Sequence, residues 1–164
     1  MNYSADYFIK SLNMIKHPEG GFFKESFVSD STIPKNTLHI NEDRPLWTSI
    51  YFLLRTGENS NFHRLKSDEM WYFHAGEALT IYMISPDGKL IEKQLGLNIE
   101  KGENPQVLVP KGYIFGSSMN NDGFSLVGCM VAPGFDFKDF ELFEREKLLK
   151  KYPDHEEIIK KLTR

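Results

Sequence analysis

The chain has 164 residues, 40% of them hydrophobic and 13% aromatic, with a formal net charge of −3 and a pI near 6.0. One domain with a sizeable core fits that length, and the composition excludes disorder. The charge gives no reason to expect nucleic acid or anionic membrane as a partner, and the one cysteine, Cys129, excludes an intrachain disulfide.

The first residues lack a basic, then apolar, then small-residue pattern, and no apolar run reaches membrane-spanning length. The expectation is a cytoplasmic chain with no membrane partner. Ser4 to Met14 reads as a short helix capped by Ser4, with Tyr7, Phe8, Leu12 and Ile15 at roughly helical spacing. His17-Pro-Glu-Gly-Gly21 follows as a turn set by its Pro and paired Gly. The functional alternative has His17 and Glu19 on the rim of a pocket. Phe22 to Ser29 alternates as a strand, with Phe23, Glu25 and Phe27 on one side. Asp30 to Pro45 is polar and aperiodic, a loop of the kind that frames sites.

Strands are predicted over Leu46 to Arg55, around His63, over Glu69 to Phe73, Leu79 to Ser85 and Leu90 to Leu95. Others cover Pro105 to Pro110, Tyr113 to Ser118 and Phe124 to Val131. Many short strands at even spacing argue for a barrel or sandwich. Beyond Phe135, Phe140 to Tyr152 and Asp154 to Leu162 read as charged helices broken by Pro153. They form a packed tail or a dimer contact. The chain divides into a barrel over 16–137 and a helical tail over 138–164 within one domain.

The stretch from Gly57 to Gly76 organises the chain. Alternation places His63 and Leu65 on one face of a strand, and Glu69, Trp71 and Phe73 on one face of the next. Ionisable groups directed into an aromatic interior are costly unless paired or liganded. Gly57, His63, Glu69 and Gly76 resemble the first motif of the cupin superfamily. With His17 to Gly21, Asp68-Glu69-Met70-Trp71, Pro105 to Pro110 and Val131 to Phe137, the chain more specifically resembles the DUF985 (Cupin_5) family. That resemblance implies an all-β jelly-roll barrel with short terminal helices, a homodimer, and a small-molecule pocket.

In metal-binding cupins the first motif supplies two His and a Glu, and a second motif supplies another His. Here the second and fourth ligand positions are Leu65 and Phe115, which leaves His63 and Glu69. A transition-metal site needs about three protein ligands, so no metal and no other cofactor is expected. The leading expectation is a metal-independent sugar or nucleotide-sugar epimerase or isomerase, with His63 as base and Glu69 orienting it. The competing expectations are a non-catalytic sensor or carrier, and a degenerate metal-dependent cupin with an unrecognised third ligand. A bland structural role for His63 and Glu69 is a mutual hydrogen bond that joins two strands.

The ligand, expected to be sugar-, nucleotide- or anion-like, is framed by Glu25, Tyr51, His63, Trp71, Phe73, Gln106 and Phe115. Trp71 and Phe73 face the interior; Trp47 and Tyr51 read equally as lining or core. Gln106 either orients the ligand or satisfies backbone at a strand end. Asp136, Asp139 and Glu141 read as solvent-facing charge, and Cys129 as a buried apolar residue.

Overall fold

The computed structural model describes residues 3–37 and 42–164. Ser4 accepts a hydrogen bond from the Tyr7 amide (3.2 Å) and starts α1, Ala5–Ser11. Thirteen strands follow: β1 Ile15–Lys16, β2 Phe22–Val28, β3 Thr32–Ile33, β4 Arg44–Pro45, β5 Thr48–Arg55, β6 Asn59–Arg64 and β7 Asp68–Gly76, then β8 Leu79–Ile84, β9 Leu90–Leu95, β10 Gln106–Val109, β11 Ile114–Met119, β12 Phe124–Ala132 and β13 Glu141–Leu142. The chain closes with α2, Arg145–Lys151, and α3, Glu156–Lys161.

Two antiparallel sheets face each other as a jelly-roll sandwich. One has the order β1-β2-β5-β12-β7-β10, the other β13-β6-β11-β8-β9. The period-two alternation of β5 explains how the layers form. Ile50, Phe52 and Leu54 turn into the space between the sheets, and Leu53 and Tyr51 turn outward beneath α1. Val127, Cys129 and Val131 of β12 and Trp71 of β7 complete the inner layer. Phe8, Ile9 and Leu12 cover the outer face of the first sheet, around Leu53 and Leu126.

The C-terminal segment is structural. β13 pairs with β6, and Leu148, Ile159 and Leu162 pack fully buried on Phe62, Ile84 and Ile114, the outward residues of the second sheet. The expected helix from Phe140 is shorter than its charge pattern suggested, because Glu141–Leu142 pairs as a strand edge before Arg145 begins α2. Residues 30–45 were expected as loop throughout. Thr32–Ile33 and Arg44–Pro45 instead pair as a small hairpin, and 38–41 lie outside the described residues. Phe27 also departs from expectation. A bulge at Ser26, whose hydroxyl donates to the Ser49 carbonyl (2.9 Å), shifts the phase of β2 and leaves Phe27 exposed while Phe23 stays inside. Among the described residues no helix is long and apolar enough to cross a membrane.

Candidate functional site

The site is built where the turn between β1 and β2 meets β6. Gly20 has φ +118°, and a Cβ there would lie 2.0 Å from the Asn59 carbonyl oxygen, so only glycine lets the turn approach so closely. The Asn61 backbone N–H (2.8 Å) and its side-chain amide (2.6 Å) both donate to the Glu19 carbonyl. This anchorage carries the Glu19 side chain inward, where it is 6% exposed.

Glu19 is the partner of His63. Its Oε2 lies 3.2 Å from His63 Nε2 and 3.4 Å from His17 Nδ1, and its Oε1 accepts a hydrogen bond from the Ser60 hydroxyl at 2.8 Å. The surrounding bonds fix the proton inventory. His63 Nδ1 stands 2.8 Å from the Asn61 carbonyl and so carries the hydrogen it donates, which leaves a lone pair on Nε2. The Glu19 amide donates to His17 Nδ1 (3.2 Å), so that nitrogen also presents a lone pair. The His17 lone pair is taken up by that amide, so the one on His63 Nε2 faces the Glu19 carboxyl oxygen, an arrangement that is attractive when that oxygen holds a proton. Burial, reinforced by the charge of Glu69, raises the Glu19 carboxyl well above its ordinary range and supplies that state. Burial likewise lowers His63 to about 3, against the opposing pull of the Asn61 carbonyl, and lowers His17 to about 4.

Glu69 stands apart from this cluster. Burial pushes its carboxyl up to about 7, offset in part by the neighbouring Trp71 indole and Cys129 thiol. Neither Glu69 Oε2 nor Trp71 Nε1 completes a hydrogen bond within 3.5 Å, although both are buried. Unpaired buried polar groups are rare and call for a reason. Both line a cavity of about 80 Å³ that also receives His17, Glu19, His63 and Cys129. The ring of Phe52 on β5 and that of Phe23 on β2 form one wall. Phe135, Phe137 and Phe140, beyond β12, form another. Arg44 secures this second wall by donating to Asp136 (2.8 Å) and Asp139 (3.1 Å), while Thr48 Oγ1 accepts from the Phe135 amide (2.9 Å).

The expected site residues divide by strand phase. Glu25 lines the cavity at its solvent-facing mouth; His63, Glu69 and Trp71 line its interior. Phe115 abuts it, with its ring 4.1 Å from that of His63. Phe73 packs on the inner core away from the cavity lining. Tyr51 faces the other side of β5, edge-on to His74, and Gln106 is exposed on the edge strand β10, whose inward residues are Val107 and Val109. These two are corrections: alternation turns both side chains away from the interior. The supposed His63–Glu69 hydrogen bond is a third, since Glu19 takes that place. Asp136 and Asp139 are a fourth, as they clamp Arg44 rather than simply face solvent.

His17, Glu19 and the Phe135–Phe140 wall were underweighted or missed. The signal for the first two lay in His17-Pro-Glu-Gly-Gly21 itself, where two ionisable residues sit beside glycines that allow a close backbone approach.

The donor set does not fit a metal. Leu65 and Phe115 occupy the second and fourth ligand positions and are packed into the core, and His63 Nε2 is already engaged by Glu19. Among the described residues, no three His, Cys, Asp or Glu side chains are grouped to hold an ion.

Two antiparallel sheets of this topology make the cupin fold. The chain belongs to the Cupin_5 family, described as Cupin superfamily (DUF985), whose sequence pattern matches residues 6–143. It is 30% identical over 160 residues to the uncharacterized protein YML079W of Saccharomyces cerevisiae, covering 90% of this chain and 79% of that one. Among solved structures it is similar to protein SO0799 from Shewanella oneidensis, with 60% identity, 99% of both chains covered and a TM-score of 0.92. A hypothetical protein from Leishmania major matches at 37% identity and TM-score 0.90, over 98% of this chain and 99% of that one. An oxalate decarboxylase from Bacillus subtilis, at 16% identity and TM-score 0.55 over 90% of this chain and 36% of that one, shares the fold alone.

Proposed function

We propose that the cavity is an acid–base site for proton transfer beside a carbonyl, as in an isomerase or epimerase, with Glu69 as base and proton-bearing Glu19 as acid. The observation that carries this reading is the pair of buried carboxyls on one small cavity in different states. Burial pushes Glu69 up to about 7, with an Oε2 that completes no hydrogen bond, whereas burial raises Glu19 well above the ordinary range beside the His63 Nε2 lone pair. Carboxyls whose environments divide them in this way are the mark of an acid and a base sharing one reaction. His63 is too weakly basic, at about 3, to abstract a proton at neutral pH. It serves instead to hold and orient the Glu19 proton.

The substrate is correspondingly small. A volume of about 80 Å³ lies well below the roughly 300–1,000 Å³ of pockets for drug-sized ligands. A sugar nucleotide would enter only by one end, past Glu25; a compact carbonyl compound fits better. No Lys or Arg lines the cavity, which disfavours an anion.

The test is proton exchange in D2O, followed by NMR over a panel of small ketones, aldehydes and hydroxycarbonyls. Wild type is expected to wash deuterium into a position adjacent to the carbonyl, and Glu69→Gln to slow this by about 10²–10⁴-fold. Ligands that bind without any exchange would reassign the protein as a non-catalytic binding module.

A further inference from the structure

We propose that the cavity selects a small organic cation, an amine or amidine, whose charged group is held at the mouth between Glu25 and the surrounding rings. This names the ligand class of the site described above; it rests on that cavity being the ligand site but not on turnover there.

The lining carries three carboxyl side chains, Glu19, Glu25 and Glu69, and no Lys or Arg. Among the described residues Glu25 has no ion-pair partner, although other acids such as Glu58, Asp139 and Glu141 are each paired with a cation. Lys24 precedes it on β2, and alternation sends that side chain to the opposite face. The mouth therefore presents one unneutralised negative charge.

The same cavity is lined by the ring of Phe23, two residues before Glu25 on the same strand face, and by that of Phe137, which is 52% exposed and flanked by Phe135 at 4.9 Å between ring centres. Ring faces carry partial negative charge and attract ammonium groups, most strongly where water is thinned out. An acid framed by aromatic rings suits an organic cation better than a metal ion, which would need several oxygen or nitrogen donors.

The interior adds an independent observation. Glu69, 6% exposed, and Trp71, 1% exposed, are neighbours that both line the cavity, yet neither Glu69 Oε2 nor Trp71 Nε1 completes a hydrogen bond. The bound molecule is therefore asked for a polar group at its inner end as well as a cation at its outer end. A short amine with an attached carbonyl or hydroxyl meets both demands.

Three probes of one shape separate charge from size: tert-butylammonium, tert-butanol and pivalate. Binding to the full chain is followed by the Trp71 indole N–H signal, one of only two tryptophan signals, and by the thermal midpoint. The ammonium is expected to bind about tenfold or more tighter than pivalate. Glu25→Gln is expected to weaken it by about fivefold, and Glu25→Lys to reverse the order of the two. Glu25 lies on the surface, so neither variant disturbs the core.

The proposal is overturned if tert-butanol or pivalate binds as tightly as the ammonium. It is equally overturned if the ammonium leaves the Trp71 signal unmoved, or if Glu25→Lys leaves the order unchanged. Proton exchange on neutral carbonyls without amine preference would sink the cation selectivity and spare the acid–base function. Amine binding without exchange would do the reverse.

Discussion

Glu69 shows how a single buried oxygen couples ligand chemistry to stability. Its carboxyl moves from 4.5 to about 7 on folding. Between those values the unfolded chain has shed a proton that the folded chain keeps, so this residue's contribution is full below about pH 4.5. It is lost as pH rises through 7, on the order of 3 kcal/mol in all. His63 and His17, depressed to about 3 and 4, act in the opposite sense and cost stability on acidification below about 6.5. Glu69→Gln removes the first contribution and leaves the second. The variant is expected to gain on wild type between pH 5 and 8, by roughly 5–10 °C in thermal midpoint, and to show little difference in pH dependence below pH 4.5. A scan of midpoint against pH that finds parallel curves would mean that Glu69 is not desolvated in the folded chain.

Residue identity and alternation place side chains on the cavity more readily than they pair them. His63, Glu69 and Trp71 stand on the cavity because a strand's alternation is legible in sequence. Glu19 and His63 meet across 44 positions, through a turn whose reach depends on the missing Cβ of Gly20, and no local pattern encodes that distance.

Among elements, the turn from His17 to Gly21 does more for the site than any strand. It is pinned to β6 by two bonds to one carbonyl, and it delivers two of the ionisable groups. Gly20→Ala must relieve a 2.0 Å approach to backbone and is expected to cost about 2–4 kcal/mol in urea unfolding. The same variant should alter the 15N shift of His63 Nε2 as Glu19 withdraws. An unchanged imidazole spectrum would show that the turn does not position Glu19. Alternation gives the phase of β2 as far as Glu25 and fails beyond it. The Ser26 bulge, which inverts Phe27, leaves no trace in the alternation of β2 as written.

For the whole molecule, the helical tail is a second core rather than an appendage. α2 and α3 cover a sheet face whose own residues, Phe62, Ile84 and Ile114, are apolar. Leu148, Ile159 and Leu162 come from separate short segments and join only on the sheet. Ile159→Ala leaves a void at a fully buried position and is expected to cost about 2–5 kcal/mol, a fall of roughly 5–15 °C in thermal midpoint. A loss below 1 kcal/mol would return the tail to the status of a loosely held extension.

Cys129, already met as a neighbour of Glu69, gives the molecule a built-in reporter. It is the chain's sole sulfhydryl, 2% exposed, and burial together with the nearby carboxyls holds it protonated and unreactive. Any thiol-directed reagent that labels Cys129 has therefore entered the barrel. The rate of that labelling is a clock for how often the interior opens, and a bound molecule would slow it without the chain having to be re-engineered.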